Sequence, residues 1–347
     1  MEGSTAVVSP SSLAEAGLDP GLLDCWEVTL GMALLAQGCR DVRSVLGSQW
    51  WFAYDPGGGA APRLDFEPQA ERCAALAGLR PRSERVEEGE LADACERALS
   101  DGRVPMVVTD AYQLPWCPYT GRKHVEHSFV VTAVTGPPRT LQVVDGYDNR
   151  TEWGDARPLE TTVDAALTAV LERDPATEFV SLHPEKGAED AAKAADGAGV
   201  DRAALFRANL AALAGRGPGD PYEAFIEENR PDDVGPSAFD RFCEACWTIE
   251  RRRGLYATWL DDLAAEPGSP VPADLGDRFR DAVVARWSEV NRFAYLALRR
   301  LRAGRRAPGG VADLLAAAAA AERDLAAAFV AEFSPGAAQE PGKKERR

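Results

Sequence analysis

The sequence predicts an α+β domain followed by an α-helical domain. Residues 1–185 mix helical periodicity with short runs rich in β-branched residues, whereas residues 201–335 show helical periodicity alone. Between them, residues 186–200 hold no large apolar side chain before Val200, so they cannot bury much surface and are expected to form a linker. Residues 336–347 are polar and are expected to form a flexible tail. Helical segments are expected near 201–214, 236–265, 274–303 and 311–333.

Composition excludes several classes of protein. The chain has 347 residues, a formal net charge of −16 and 7 cysteines. Phosphate binding needs concentrated Lys and Arg, so this acidity argues against a nucleic-acid binder, and irregularly spaced cysteines argue against a secreted disulfide scaffold. No apolar run reaches the roughly eighteen residues of a membrane span, and residues 1–17 lack a secretory signal. We expect a cytoplasmic protein that binds neither nucleic acid nor membrane.

Cys25 is the candidate nucleophile. It precedes the apolar run 28–37, and Asp24 and Glu27 have the spacing of a capping box, which predicts that Cys25 is the first residue of a buried helix. The positive end of a helix favours thiolate, and its free N–H groups are suited to bind an oxyanion. The acidic neighbours Asp24 and Glu27 would raise the thiol pKa, so a base is still required. The alternative is a cysteine that only fills core space.

The three histidines limit the choice of a general base. His124 and His127 precede the β-rich run 129–134, whereas His183 lies at the edge of the linker, and we favour His127. A pair of loop histidines without a function and a zinc pair are the alternatives. No third ligand occurs at metal spacing, so we expect no metal and no cofactor.

The strand after His127 supplies the candidate orienting carboxylate. A turn at residues 136–138 leads into a second strand that ends at Asp145. With a three-residue loop, Asp145 projects from the same face as His127, one diagonal away, whereas a two-residue turn would place Asp148 opposite His127. Asp145 is therefore our candidate for the third member of a catalytic triad and Asp148 the reserve.

A family resemblance adds to these residues. The segment 105–119, PMVVTDAYQLPWCPY, followed by His124, His127 and a valine-rich strand, resembles the BtrH N-terminal domain family, which is similar to papain-like cysteine peptidases. The chain order of cysteine, histidine and aspartate also resembles the bacteriocin-processing peptidases. The resemblance covers residues 104–150 well and 24–55 loosely. It implies a papain-like cysteine-peptidase-type domain ahead of the helical domain.

The resemblance also implies a function, a cysteine-dependent acyltransferase of natural-product biosynthesis. Such an enzyme takes an acyl group from the phosphopantetheine thioester of an acyl or peptidyl carrier protein and places it on a small-molecule amine. Cys25 would carry the acyl group, His127 would activate Cys25 and then the amine, and Asp145 would orient His127. Substrate contacts are expected from Trp26, Tyr112, Trp116 and His124.

Two other functions remain open. A thioester cyclase, a thioesterase or a peptidase would use the same triad, because different nucleophiles meet the same acyl-enzyme. A non-catalytic scaffold that binds a carrier protein or a peptide would keep the fold without the chemistry. No upstream glutamine is present to serve as a second oxyanion donor. The aromatic segment 50–54 would suit either a pocket wall or a buried cluster.

Three weaker signals favour structural roles. The pair Cys243 and Cys246 lies within a helical pattern and predicts core packing. The basic runs 251–253 and 299–306 predict solvated helix faces, with the docking of an acidic carrier protein as the alternative.

Overall fold

The computed structural model describes residues 8–50, 67–185, 200–214, 221–228 and 236–333. The chain divides into two compact units, Met1–Leu46 with Glu67–Val200 and Gly47–Phe66 with Asp201–Arg347. The first combines helices with an antiparallel sheet, and the described C-terminal region is helical, so the predicted mixture of helix and strand is confirmed. The predicted linker, the tail and residues 51–54 of the aromatic segment lie outside the described residues, except for Val200.

The first unit contains a six-stranded antiparallel sheet with the strand order β1-β8-β2-β3-β4-β7. A two-stranded ribbon, β5 with β6, follows β4 in the chain. The strands are β1 Leu79–Arg85, β2 Met106–Asp110, β3 Glu126–Thr135, β4 Thr140–Asp145, β5 Asn149–Thr151, β6 Gly154–Ala156, β7 Leu159–Val163 and β8 Glu178–Pro184. Long-range pairing of this kind is set by tertiary packing, because each strand alone has too few residues to be stable.

Helices surround the sheet of the first unit. They are α1 Ser12–Glu15, α2 Cys25–Ala36, α3 Val42–Gly47, α4 Glu67–Arg72, α5 Leu91–Ser100 and α6 Ala165–Arg173, with short 3₁₀ turns at Pro20–Leu22 and Ala111–Gln113 and a π turn at Cys73–Ala77. Apolar residues of α5 and α6 join one buried cluster with residues of β2, β3 and β4, among them Leu91, Leu171 and Phe129. This packing fixes the central strands that carry the candidate site.

Helix α2 is buried on almost all sides, as its apolar sequence predicts. Its residues Val28, Leu30 and Leu34 are fully buried. Gly31 permits a close approach of neighbouring segments, because a Cβ atom there would lie 2.7 Å from a methyl carbon of Leu13. A helix held this tightly gives its first residue a fixed position.

The second unit is a helical bundle in its described part. Its helices are α7 Arg202–Ala214, α8 Pro221–Glu228, α9 Pro236–Ala265, α10 Leu275–Phe279, α11 Ala285–Arg302 and α12 Val311–Phe333. The predicted segment 274–303 is divided into α10, a π turn at Arg280–Val284 and α11. Helix α8 was not predicted. The other three predicted segments match α7, α9 and α12 within one residue.

A buried ion pair lies in the core of the bundle. Arg253 of α9 and Glu322 of α12 are 2.7 Å apart, with side chains 3% and 5% exposed. Glu322 also accepts hydrogen bonds from the indole N–H groups of Trp50, at 3.0 Å, and Trp287, at 2.9 Å. The prediction of a solvated basic patch at 251–253 is therefore wrong for Arg253, because its guanidinium neutralises a carboxylate inside the core.

Other residues that gave weak signals in the sequence also lie in the helical bundle. Cys243 and Cys246 are both buried in α9, where core packing was predicted. Arg302, in the last turn of α11, lies 3.1 Å from Asp240. None of the described helices is long and apolar enough to cross a membrane.

Candidate active site

Helix α2 begins at Cys25, and the predicted capping box is confirmed. Asp24 Oδ1 accepts from the backbone N–H of Glu27 at 2.7 Å, and Glu27 Oε2 accepts from the N–H of Asp24 at 3.1 Å. The half-buried thiol of Cys25 donates to the carbonyl oxygen of Glu126, with Sγ and oxygen 3.7 Å apart. The candidate nucleophile therefore lies beside the first residue of β3, directly before His127.

Ser128 joins the helix N-terminus to the strand. Its hydroxyl donates to the carbonyl oxygen of Cys25 at 2.9 Å and lies 3.0 Å from Thr29 Oγ1. Glu126 directly precedes His127 and Ser128 directly follows it. Both neighbours of His127 in β3 therefore contact the start of α2.

His127 and Asp145 form a buried pair. His127 Nε2 lies 2.7 Å from Asp145 Oδ2, and the two side chains are 2% and 6% exposed. The second carboxylate oxygen accepts from the N–H of Tyr147 at 3.0 Å, and Trp116 Nε1 donates to Oδ2 at 2.9 Å. An ionised carboxylate only accepts hydrogen bonds, so His127 carries its proton on Nε2 and Nδ1 is left as the basic nitrogen.

A β-bulge brings these two side chains to the same face. Thr135 pairs with Thr140, so the turn of the hairpin has four residues, and the predicted three-residue loop is wrong. In that register Asp145 would lie opposite Val130 and project away from His127. The pairing shifts at Thr132, which is the extra residue of a bulge, and Val130 then pairs with Val144. The predicted diagonal placement of Asp145 therefore results from a longer turn and a compensating bulge.

The surroundings of Asp145 favour its ionised form. Burial opposes ionisation, but the charge and hydrogen bond of His127, the N–H of Tyr147 and the indole of Trp116 together lower the pKa of Asp145 below its ordinary value. A carboxylate in this state stabilises an imidazolium and holds the ring in one orientation, which is the role of the third residue in a triad.

The surroundings of Cys25 favour its neutral thiol. Removal from water is the largest cause that raises its pKa well above the usual range, and the charges of Asp24, Glu126 and Asp145 act in the same direction. The N–H of Trp26 lowers the pKa, as expected at a helix N-terminus, but this effect is outweighed. The prediction that Asp24 raises the thiol pKa is confirmed, and the thiol needs a base to react.

The predicted substrate-contact residues all lie in the first unit. Trp26 Nε1 donates to the buried Gln69 at 2.8 Å, while Trp116 supports Asp145 as described above. The rings of Tyr112 and His124 stack at 4.3 Å. Whether these side chains contact a substrate stays a prediction. The reserve carboxylate Asp148 lies 3.1 Å from Arg157.

Two supporting residues were missed by the sequence reasoning. A Cβ atom on Gly146 would lie 2.8 Å from Val28 Cγ1 and 3.1 Å from Met32 Sδ, so only glycine lets the end of β4 approach α2 this closely. Asp110 ends β2 and accepts from the N–H of Tyr112 at 3.0 Å. The signals were present as a glycine directly after a strand-ending aspartate and as an aspartate directly before a turn.

Comparison with known proteins does not identify this site. No model of a known protein family matches the chain, and no curated protein matches it. Among the described residues, no group of three or more His, Cys, Asp or Glu side chains is arranged to hold a metal ion. The assignment of chemistry therefore depends on the geometry of Cys25, His127 and Asp145.

Proposed function

We propose that the first unit is a papain-like, cysteine-dependent acyltransferase in which Cys25 is the nucleophile, His127 the base and Asp145 the orienting carboxylate. The observation that carries this proposal is the buried pair of His127 and Asp145 at the start of β3, where the preceding carbonyl contacts Cys25 Sγ at 3.7 Å. An orienting carboxylate, an imidazole and a thiol in this order are the parts of an acyl-transfer site.

The first half of the reaction acylates Cys25. His127 Nδ1 takes the thiol proton, and the thiolate attacks the carbonyl carbon of the donor thioester. The N–H groups at the start of α2 stabilise the resulting oxyanion. The tetrahedral intermediate then expels the donor thiolate, which receives the proton from His127, so a new Cys25 thioester replaces the old one.

The second half transfers the acyl group to an amine. The neutral amine attacks the Cys25 thioester, His127 takes a proton from the amine nitrogen, and the C–S bond breaks. The proton returns to the Cys25 thiolate, so the enzyme regains its first state. Asp145 stabilises the imidazolium in both halves, because it stays ionised throughout.

The surroundings of the thiol support a cationic acceptor. Asp24 and Glu126 both act on Cys25 through their charges, and negative charge attracts an alkylammonium ion. The carrier-protein donor is proposed from the resemblance of segment 105–119 to the BtrH N-terminal domain family. The cytoplasm is proposed because all seven cysteines are free, which suits a reducing compartment.

Intact-mass measurement tests the proposal. The whole chain is incubated with the N-acetylcysteamine thioester of a short acyl chain, without an acceptor. We expect one acyl group on Cys25, none in Cys25→Ala, and greatly slowed acylation in His127→Ala. The absence of any adduct on the wild-type protein would favour a non-catalytic scaffold. Rapid release of the free acid, with no amide when an amine is added, would favour a thioesterase.

A further inference from the structure

A second imidazole and carboxylate lie next to Glu126 in the chain and in the sheet, and the carbonyl of Glu126 contacts the candidate nucleophile. His124 Nδ1 lies 2.5 Å from Asp110 Oδ2, and the ring of His124 stacks on Tyr112 at 4.3 Å with an interplanar angle of 11°. Asp110 Oδ1 accepts from the N–H groups of Tyr112, at 3.0 Å, and Val125, at 3.2 Å. The imidazole of His124 is therefore held in one orientation by a carboxylate and an aromatic ring.

The imidazole ring of His124 is exposed to solvent, whereas that of His127 is buried. The side chain of His124 is 73% exposed and that of Asp110 is 13% exposed, whereas His127 is 2% exposed. Surface histidines are normally mobile, because ordering a side chain costs conformational entropy. With Nδ1 directed to Asp110, Nε2 of His124 is the nitrogen left to exchange protons with a substrate or with water.

The register of the sheet places Asp110 opposite Glu126, the residue that Cys25 contacts. Asp110 pairs with Glu126 across β2 and β3, and the carbonyl of Glu126 is the group that Cys25 Sγ contacts. The N–H of Ala111 donates to the carbonyl of Val125 at 2.8 Å, which extends the pairing beyond the strand ends. His124 is two residues from Glu126, a span of roughly 6.6 Å in extended chain.

The proposed transfer requires that an alkylammonium acceptor loses one proton before it attacks. An alkylammonium ion has a pKa of about 10.4, as in lysine, so near neutral pH only on the order of one molecule in a thousand is the neutral nucleophile. The carboxylates of Asp24 and Glu126 attract this cation but also stabilise its charge. His127 accepts the proton that the amine loses on attack, so it cannot also accept the proton that the ammonium must lose beforehand.

We propose that His124 is this second base, which deprotonates the ammonium acceptor before it attacks the Cys25 thioester. The inference rests on the proposed function and adds a residue to it. The ammonium N–H donates to Nε2 of His124, and the proton moves to that nitrogen. The neutral amine then attacks, and the His124 imidazolium, stabilised by Asp110, releases its proton to water through its exposed edge.

Two amine acceptors distinguish a role of His124 as a base from a purely structural role. The donor is the same N-acetylcysteamine thioester, and the acceptors are methylamine, which is protonated near neutral pH, and hydroxylamine, which is not. In His124→Gln we expect unchanged acylation of Cys25 and hydroxamate formation within about twofold of wild type. Transfer to methylamine should fall by about tenfold or more, since general base catalysis contributes about 10²–10⁴-fold. Added imidazole should restore part of this loss.

Two further variants test how His124 is held. Asp110→Asn keeps the acceptor for the N–H groups of Tyr112 and Val125 but removes the charge beside the imidazole, so transfer to methylamine should fall by less than in His124→Gln. Tyr112→Phe keeps the stacked ring, so its loss of transfer to methylamine should also be smaller than in His124→Gln.

The outcomes distinguish the inference from the function on which it rests. Equal transfer to methylamine by wild type and His124→Gln would overturn the role of His124. Equal loss with both acceptors, without rescue by imidazole, would also overturn it, because it indicates a structural effect. A wild-type protein that forms no adduct on Cys25, or that acylates but never uses methylamine, would instead contradict the proposed amine transferase.

Discussion

The two units each contain a buried carboxylate that accepts indole N–H hydrogen bonds, and the difference lies in the nitrogen-bearing side chain beside it. Asp145 of the first unit pairs with His127 and accepts from Trp116, whereas Glu322 of the second unit pairs with Arg253. Glu322 accepts its indole hydrogen bonds from two tryptophans. Both carboxylates are thus held by similar donors in a core.

The chemistry of the two partner groups differs. A guanidinium does not lose its proton in proteins, so Arg253 cannot act as an acid or a base and its pairing with Glu322 has a structural effect. An imidazole gains and loses a proton near neutral pH, and His127 lies directly after the residue whose carbonyl contacts Cys25. The comparison teaches that a buried carboxylate belongs to a candidate catalytic group only when its partner can exchange a proton and a reactive group lies beside it.

The largest effect is expected from breaking the titratable pair. His127→Ala should slow the acylation of Cys25 by about 10³-fold or more, because the protonated thiol loses its base. Asp145→Asn should be milder, at about 10²-fold, because the imidazole remains. Acylation is followed by intact mass at several times, with His183→Ala as the control histidine variant. An unchanged rate in His127→Ala would remove His127 from the mechanism.

The pair of Arg253 and Glu322 should instead determine stability. Glu322→Ala leaves the buried charge of Arg253 uncompensated and should lower the free energy of unfolding by about 3–5 kcal/mol. The double variant Arg253→Met with Glu322→Leu should be closer to wild type, because no charge is left buried. Urea unfolding followed by circular dichroism measures both. If the double variant is less stable than the single one, the apolar replacement does not compensate for the lost hydrogen bonds.

Matched tryptophan substitutions sharpen the comparison further. Trp116→Phe and Trp287→Phe each keep a ring but remove one indole donor to a carboxylate, worth about 1.5–3 kcal/mol for a charged acceptor. Trp116→Phe should slow acylation by about tenfold, because Asp145 is then held less firmly. Trp287→Phe should lower the urea midpoint and leave acylation unchanged. The reverse pattern would mean that the two carboxylates do not have separate roles.

The smallest expected effect is an acid dependence of stability. The pKa of Asp145 is lower in the folded protein than in the unfolded chain, where it is about 3.9. Its ionised form therefore adds stability above about pH 3.9, and this is lost as the pH falls through the folded pKa. Unfolding free energies between about pH 6 and pH 3 should converge for wild type and Asp145→Asn. A difference that stays constant over this range would contradict the lowered pKa.

The helices could be predicted because their signals are local. The capping residues Asp24 and Glu27 lie within one turn of Cys25, so the start of α2 follows from adjacent residues. The long helices α9 and α12 follow from apolar periodicity over their own length. Helix α8 was missed because it is only eight residues long and offers little periodicity.

The candidate site could be predicted only in part. The face of the sheet from which Asp145 projects was inferred correctly, but from a turn of the wrong length. The bulge at Thr132 that compensates for this cannot be located from the order of residues alone. The role of Trp116 as a donor to Asp145 was missed for a similar reason, since the two residues meet only through the packing of the loop after β2. The side-chain contacts of such a site depend on which loops the folded sheet brings together.

The sequence by itself determined the starts of α2, α7, α9 and α12, the mixture of strand and helix, and the position of Cys25 at a helix N-terminus, because neighbouring residues encode these features. Tertiary structure alone decided that Cys25 meets the strand of His127, and that burial and the charge of Asp145 raise its thiol pKa. It also decided that Arg253 is buried against Glu322. The physical reason is that desolvation and charge interactions depend on every surface packed around a group, and distant parts of the chain supply those surfaces.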